Sequence, residues 1–228
     1  MFTTGPGAKD FLELNQNIPS GDELGILAPD GFPWFVVFEF DEVGYVKDDE
    51  KGSLDAKAML ETIQRGTENA NKEKKRRGWT TVSVVGWIRP PHFDNDTHNL
   101  EWALALKGEE GGLTANHNTR YLGRRGVMRV NLVVDSNEMD KVLPEFRKVM
   151  RSFHYTPDNS YRAFVKGDKI AEYGLTALVV GGAAAAASKT GLLKSMWKLL
   201  VAGVLGIGAL IRKLLGSRNS EENPEVSS

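Results

Sequence analysis

The feature that most constrains this chain is a long apolar stretch near its C-terminus. From Gly174 to Leu215 the residues are almost all Ala, Gly, Leu and Val, whereas the residues before them have the charged and aromatic composition of a globular domain. This contrast predicts a folded domain tied to a lipid bilayer. We therefore expect three parts: a globular domain over residues 1–170, a membrane-associated helical segment over 171–215, and a disordered polar tail over 216–228.

Within that segment, the favoured membrane span is the stretch 197–215. Its uncharged core, Leu199 to Ile211, covers about 20 Å as a helix, which is less than a bilayer core of about 30 Å. An interfacial tryptophan and long cationic side chains that snorkel toward the headgroups extend the span. These anchoring residues are Trp197, Lys198, Arg212 and Lys213.

The apolar stretch from Leu175 to Ala187 leaves alternatives open. An additional helix over residues 174–190 either forms a membrane hairpin with the span, lies at the interface, or packs against the protein, and a pair of core helices in a soluble protein is the remaining alternative. Lysines between the two stretches favour a single span. Small residues at four-residue spacing let helices approach closely in lipid, so we expect the bilayer and other membrane proteins as partners. They are Ala177, Gly181 and Ala185 in the first stretch, and Ala202, Gly206 and Ala209 in the second.

Composition excludes several classes of function. The formal net charge of −1 gives no bulk attraction to nucleic acid, so we expect no nucleic-acid partner. The absence of cysteine removes disulfides, thiolate nucleophiles and cysteine-ligated zinc. Residues 1–10 lack the basic and apolar regions of a secretory signal peptide.

Short apolar runs predict the strands of an antiparallel sheet. The run Trp34–Phe40 is too short for a helix and rich in aromatic and β-branched residues. Residues 100–107 alternate between apolar and other side chains, as a half-buried strand does, and residues 81–89, 118–122 and 127–134 add further strands. Because the connections are short, we expect a meander of about six strands, with a last short strand near residues 153–156.

Two helices are expected to cover this sheet, which gives an α+β fold. Ser53 is the predicted N-cap of the first helix, and Gly78 ends it. The second helix begins near Ser136 and carries an apolar stripe from Met139 to Phe153, interrupted by Pro144, where we expect a kink or a break.

Two polar clusters are candidate sites. His92, Asp94, Asp96 and His98 alternate near a predicted hairpin tip, and imidazole with carboxylate suits a divalent metal, although Asp and Asn are also ordinary turn residues. Arg120, Arg124 and Arg125 form a basic patch that could contact a phosphate or another anion, or could simply be a solvated turn. We expect no cofactor, with a divalent metal as the only alternative, and assign no catalytic residue.

Several motifs in a fixed order resemble those of a bacterial family of predicted membrane-anchored proteins of unknown function. They lie at residues 45–49, 86–103, 122–126 and 168–174, and the resemblance runs from about Leu24 to Leu215. It implies a domain outside the cytoplasm, preceded by a secretion signal and followed by a C-terminal membrane anchor, with no established activity. Since no signal is present here, we expect that the natural chain begins upstream of Met1.

The sequence thus favours a non-enzymatic, membrane-anchored domain that binds a ligand or partner at the cell envelope. The alternative is a metal-dependent hydrolase that uses the His92–His98 cluster.

Overall fold

A computed structural model describes residues 1–181, which form one seven-stranded antiparallel sheet with four α-helices. The strands are β1 (Phe2–Thr3), β2 (Glu23–Leu27), β3 (Trp34–Asp41), β4 (Val82–Asp94), β5 (Asn99–Gly108), β6 (Leu113–Leu122) and β7 (Val127–Asp135). The α-helices are α1 (Pro6–Leu14), α2 (Ala56–Arg76), α3 (Met139–Met150) and α4 (Leu175–Val180). Two short 3₁₀ turns, Pro157–Asn159 and Tyr161–Ala163, lie between α3 and α4. The predicted α+β class and antiparallel sheet are confirmed.

The strand order differs from a simple meander. It is β1-β2-β3-β7-β6-β5-β4, so the chain leaves β3, crosses through α2 to the far edge at β4, and returns strand by strand to β7. β3 and β7 pair along their full lengths, from Trp34 opposite Val134 to Asp41 opposite Val127. Both strands bury side chains on both faces, and central positions in the sheet satisfy that requirement.

The two faces of the sheet are covered by different helices. On one face, α2 and α4 pack against Trp102 and Leu104, and α1 covers the part near β2 and β3. On the opposite face, α3 packs against Ala103 and Leu132. Successive residues of a strand point to opposite faces, which is why neighbours such as Trp102 and Ala103 belong to different cores. The two predicted helices therefore lie on opposite sides of the sheet.

Local details correct two expectations and one alternative of a third. Asp55, and not Ser53, caps α2, because its side chain accepts a hydrogen bond from the Ala58 backbone N–H at 3.0 Å. α3 continues through Pro144, so the break is not found there, whereas the kink stays a prediction. Residues 153–156 are irregular and do not form the predicted last strand.

The start of the apolar tail belongs to the globular domain. α4 buries Leu175, Leu178 and Val179 in the core it shares with α2, and Gly181 ends the helix in the left-handed region at φ 108°. A helix thus begins where one was expected, and α4 ends at Val180, while the rest of the expected helix, residues 182–190, lies outside the described residues. The domain extends past the expected boundary at residue 170, and Ala177 of the first small-residue face is buried at 4% exposure.

The remaining part of the membrane prediction lies outside the described residues. This applies to the favoured span 197–215 with Trp197, Lys198, Leu199, Ile211, Arg212 and Lys213, to the second small-residue face, and to the polar tail 216–228. Among the helices of residues 1–181, none combines the length and the apolar character that crossing a membrane requires.

Candidate functional site

The sequence motifs at residues 45–49, 122–126 and 168–174 meet at one end of the sheet. Arg124, in the turn between β6 and β7, forms a two-point ion pair with Asp168: Nε lies 2.7 Å from Oδ2, and Nη2 lies 2.8 Å from Oδ1. The backbone of Tyr45 accepts a hydrogen bond from the Ala171 N–H at 2.9 Å and donates one to the Lys169 carbonyl at 2.8 Å. These contacts fasten the α3–α4 connection (residues 151–174) to the sheet.

The carboxylate of Glu50 extends this attachment to α4. Its Oε2 accepts a hydrogen bond from the Thr176 N–H at 2.7 Å, one of the N–H groups that a helix start leaves without a partner inside the helix. The motif residues therefore have structural roles. They hold the α3–α4 connection in place, and the connection in turn orients α4.

A row of rings crosses the same region. The ring of His98 lies 4.7 Å from that of Tyr161, which stacks on Tyr45 at 4.5 Å, and Tyr45 contacts Phe164 at 4.3 Å. The Tyr161 hydroxyl donates a hydrogen bond to the Val46 carbonyl at 3.0 Å, and burial raises the pKa of Tyr161. His98 adopts a positive φ of 54°, a conformation that is uncommon outside glycine. The ring row explains why the β4–β5 turn is held against the α3–α4 connection.

The four residues predicted as metal ligands make different contacts and do not converge on one point. Asp94 Oδ1 accepts hydrogen bonds from the Thr97 and Asp96 N–H groups at 2.9 and 2.8 Å, which lower the pKa of Asp94 and cap the β4–β5 turn. His98 turns toward Tyr161, while His92 and Asp96 are exposed. Within residues 1–181, no three His, Asp or Glu side chains are arranged to share a metal ion. The geometry gives the hydrolase hypothesis no support.

The three arginines of the predicted basic patch also separate. Arg120 is buried at 7% exposure on the face of the sheet covered by α4, and its guanidinium lies 4.7 Å from the Trp102 ring. Arg124 is neutralised by Asp168, while Arg125 is exposed. Sequence proximity placed them together, but strand alternation and the turn direct their side chains to different places.

A concave surface of about 560 Å³ lies at the same end of the sheet. We call it the aromatic groove; it lies between the β4–β5 turn, the C-terminal end of α3 and the α3–α4 connection. Its apolar walls are Tyr121, Phe146, Met150, Phe153, Tyr155 and Tyr161. The rest of the lining is polar or charged, and a volume of this size lies within the range of ligand-binding clefts.

The charged groups around the aromatic groove are mostly cationic. Arg147 lies 3.9 Å from Glu101, whose pKa is raised by burial and held down in part by that arginine. Arg162 donates to His98 Nε2 at 3.3 Å and to the Asp96 carbonyl at 3.4 Å. In the described part of the chain, neither Arg162 nor Arg151 has a carboxylate within ion-pair distance. The rim therefore presents two guanidinium groups that form no ion pair within the described chain, beside the carboxylates of Asp96 and Glu101 in the same lining.

A buried polar strip crosses the opposite face of the sheet. It runs from Glu39 on β3 through Arg129 and Asn131 on β7 to Asn118 and Arg120 on β6, all less than 9% exposed. Arg129 bridges two carboxylates, Asp41 at 3.0 Å and Glu39 at 3.2 Å. Burial raises the pKa of Glu39, and Arg129 opposes that rise.

Sequence reasoning missed both the aromatic groove and the polar strip. The groove residues come from segments that are far apart in the chain, and nothing in their spacing links them. The polar strip could have been detected in the sequence of β6. This strand carries Asn116, Asn118 and Arg120 at alternate positions that face a core. Polar residues at such positions indicate buried polar contacts.

Comparison with known proteins places the chain in a family. The family described as "Protein of unknown function (DUF2167)" matches residues 1–211. The chain belongs to this family. Its match begins ahead of Leu24 and includes β1 and α1, so the resemblance seen in the motifs covers more of the N-terminal region than the motifs alone suggested.

Among the solved structures that the chain resembles is the solution structure of cyanobacterial PsbP (CyanoP) from Synechocystis sp. PCC 6803, with a TM-score of 0.40 and 12% identity over 68% of this chain and 81% of that chain. No curated protein matches the sequence.

Proposed function

We propose that this protein is a non-enzymatic binding module whose aromatic groove takes a ligand or partner with an apolar body and an acidic group. The observation that carries the proposal is the combination of aromatic walls with Arg151 and Arg162 at the rim, which form no ion pair among the described residues. Aromatic surface supplies the binding free energy, and guanidinium groups select for carboxylate, sulfonate or phosphate.

The positions of the arginines around the aromatic groove support this interpretation. Arg147 and Arg151 lie at the C-terminal end of α3, where cations also complement the helix dipole, but Arg162 lies on a 3₁₀ turn of the α3–α4 connection. Two unrelated elements therefore bring positive charge to the same groove. The ring row and the Arg124–Asp168 ion pair hold the connection in place, so the groove is formed before a ligand arrives.

The test is ligand-induced stabilisation of the full chain by 1-naphthalenesulfonate, with uncharged 1-naphthalenemethanol as the comparison. We expect the sulfonate to raise the unfolding midpoint saturably and the alcohol to raise it much less. The double variant Arg151→Glu/Arg162→Glu should bind the sulfonate at least tenfold more weakly, which corresponds to about 1.4 kcal/mol.

The matched control is Lys57→Glu/Arg65→Glu, which reverses two exposed charges on α2, away from the groove. It should leave sulfonate binding unchanged. Equal stabilisation of the two double variants, or equal effects of the sulfonate and the alcohol, would rule out the proposed groove specificity.

We further propose that residues 197–215 anchor this module to the membrane. The support is the uncharged Leu199–Ile211 run with Trp197 and basic residues at its ends. We expect the full chain to remain with membranes in alkaline carbonate and to require detergent for extraction. A chain ending at Gly181 should be released without detergent, and a full chain extracted by carbonate alone would remove the anchor from the proposal.

A further inference from the structure

Two buried arginines face each other across neighbouring strands of the polar strip. Arg120 on β6 is the direct cross-strand partner of Arg129 on β7, and the side chains are 7% and 5% exposed. Like charges directly opposite each other destabilise a sheet, and a buried charge is costly unless it is paired. The arrangement therefore requires negative charge close to both guanidinium groups.

The carboxylates of the strip form direct ion pairs with only one of these arginines. Both Asp41 and Glu39 lie within 3.2 Å of Arg129. Arg120 donates instead to neutral oxygens, those of the Asn131 amide at 2.9 Å and the Thr119 carbonyl at 3.2 Å. Nowhere in residues 1–181 does a carboxylate oxygen come within ion-pair distance of Arg120.

A small cavity lies between these arginines and α4. Asn118, Arg120 and Arg129 line it on the sheet side, and Leu178 and Val179 line it on the helix side. Its volume is about 30 Å³, and Asp41, which is already paired with Arg129, also lies in its wall. The Nε atoms of Arg120 and Arg129 are both buried and have no hydrogen-bond partner in the described residues. An arginine Nε–H can only donate, so both atoms require an acceptor.

We propose that this cavity binds one small monovalent anion, of the size of chloride or formate, between Arg120 and Arg129. Such an anion accepts from both Nε–H groups and gives Arg120 a negative partner in direct contact, whereas Glu39 and Asp41 act on Arg120 only from a greater distance. A cavity of this volume has room for about two water-sized groups, which excludes sulfate and phosphate by size. Burial, followed by the charge of Arg129, lowers the pKa of Arg120 to about 9, and the more distant carboxylates of Glu39 and Asp41 offset only part of that shift.

This site is independent of the aromatic groove, which shares none of its lining residues. The anion would stabilise the packing of α4 on the sheet, because Leu178 and Val179 close the cavity. Its effect is therefore on folding stability and on the position of α4 against the sheet.

The test measures the unfolding midpoint of the full chain in sodium chloride, bromide and formate against sodium sulfate at equal ionic strength. We expect the three monovalent anions to raise the midpoint saturably and beyond the effect of sulfate. Arg120→Gln, which keeps an amide but removes the charge, should lose this difference, whereas Arg125→Gln at an exposed site should keep it. The proposal is overturned if the unfolding midpoints of wild type and Arg120→Gln respond identically to the monovalent anions. It is also overturned if those anions raise the wild-type midpoint no more than sulfate does.

A second measurement does not depend on the folding of a variant. Crystals of the wild-type chain grown in bromide should show an anomalous peak within hydrogen-bond distance of both Nε atoms. Density for water alone at that position, without an anomalous peak, also overturns it.

Discussion

Arg124 and Asp168 meet in a two-point ion pair, with N–O distances of 2.7 and 2.8 Å, although 43 residues separate them in the sequence. Asp168 also accepts the Val165 N–H at 2.8 Å, so one carboxylate joins the β6–β7 turn to the α3–α4 connection and shapes that connection locally. The contact explains why two sequence motifs that are far apart in the chain belong to one structural unit.

This ion pair makes stability sensitive to acid. The hydrogen bonds from Arg124, followed by that from Val165, lower the pKa of Asp168 to about 2. A carboxyl with a depressed folded-state pKa adds stability that is present above its unfolded pKa near 4 and is lost as the pH falls toward 2. Asp168→Asn should lower the unfolding midpoint at pH 7 and flatten its dependence between pH 4 and 2, as measured by circular dichroism. Lys57→Met, which removes an exposed charge on α2 that does not act on Asp168, should follow the wild-type pH dependence.

Truncation should show whether α4 is needed for the domain to fold. The comparison is between a chain that ends at Gly181 and one that ends at residue 170, the boundary expected from the sequence. Ending the chain at residue 170 removes Leu175, Leu178 and Val179 from the core. Each fully buried side chain of this kind contributes roughly 1.5–3 kcal/mol, and the sum is a large part of a domain's typical stability of roughly 5–15 kcal/mol. We expect residues 1–181 to give a cooperative thermal transition and residues 1–170 to give none. Equal transitions in the two proteins would show that α4 is dispensable.

Gly44 should be intolerant of a side chain. It has a φ of 97°, and a Cβ atom there would lie 2.6 Å from the Lys169 carbonyl oxygen. Gly44→Ala should therefore cost about 1–3 kcal/mol for the clash in addition to about 1–2 kcal/mol for the left-handed backbone. Gly111→Ala is the matched control, because Gly111 has a φ of 88° but open space around it. Chemical denaturation of both variants gives the difference, and equal losses would show that Lys169 moves aside without cost.

His117 should make stability depend on pH between 4 and 6.5. Burial, with smaller contributions from Arg147 and Arg89, lowers its pKa from 6.5 to about 4, and its ring packs edge-on against Phe146. The unfolded chain binds the proton more readily in this interval, so the stabilisation is full above pH 6.5 and declines as the pH falls, by about 3 kcal/mol in total. His117→Phe should remove this decline in a series of denaturant titrations, whereas His154→Gln at an exposed site should retain it.

Lys74 is a buried cation whose removal should stabilise the fold. Its Nζ has no hydrogen-bond partner among the residues the structure describes, and burial lowers its pKa to about 8, with Glu109 opposing the shift. The folded state therefore holds the proton less tightly than the unfolded state, at a cost of up to about 3 kcal/mol at pH 7 that diminishes as the pH rises from 8 to 10.5. Lys74→Met should raise the free energy of unfolding at pH 7, and Lys75→Met, at an exposed neighbour, should not. A destabilised Lys74→Met variant would point to an acceptor for the ammonium group.

Local patterns predicted much of the fold. The alternation along β5, the apolar stripe of α3 and the basic end of α2 are properties of neighbouring residues, and each element formed close to where its pattern indicated. The pairing of β3 with β7 could not be predicted in this way, because two strands separated by 85 residues share no local signal. The same limit applies to the candidate sites, since Arg162 approaches His98 only after the α3–α4 connection has folded back over the β4–β5 turn.

The sequence by itself determined the α+β class, the antiparallel sheet and the motifs that identify the family, because these depend on residue type and short-range periodicity. Only the tertiary structure decided what those residues do. It placed Leu175–Val180 in the core, separated Arg120 from Arg124, and assigned Asp94 and Asp168 to turns and ion pairs. The physical reason is that burial and charge pairing depend on which distant segments come into contact, and that information is distributed over the whole chain.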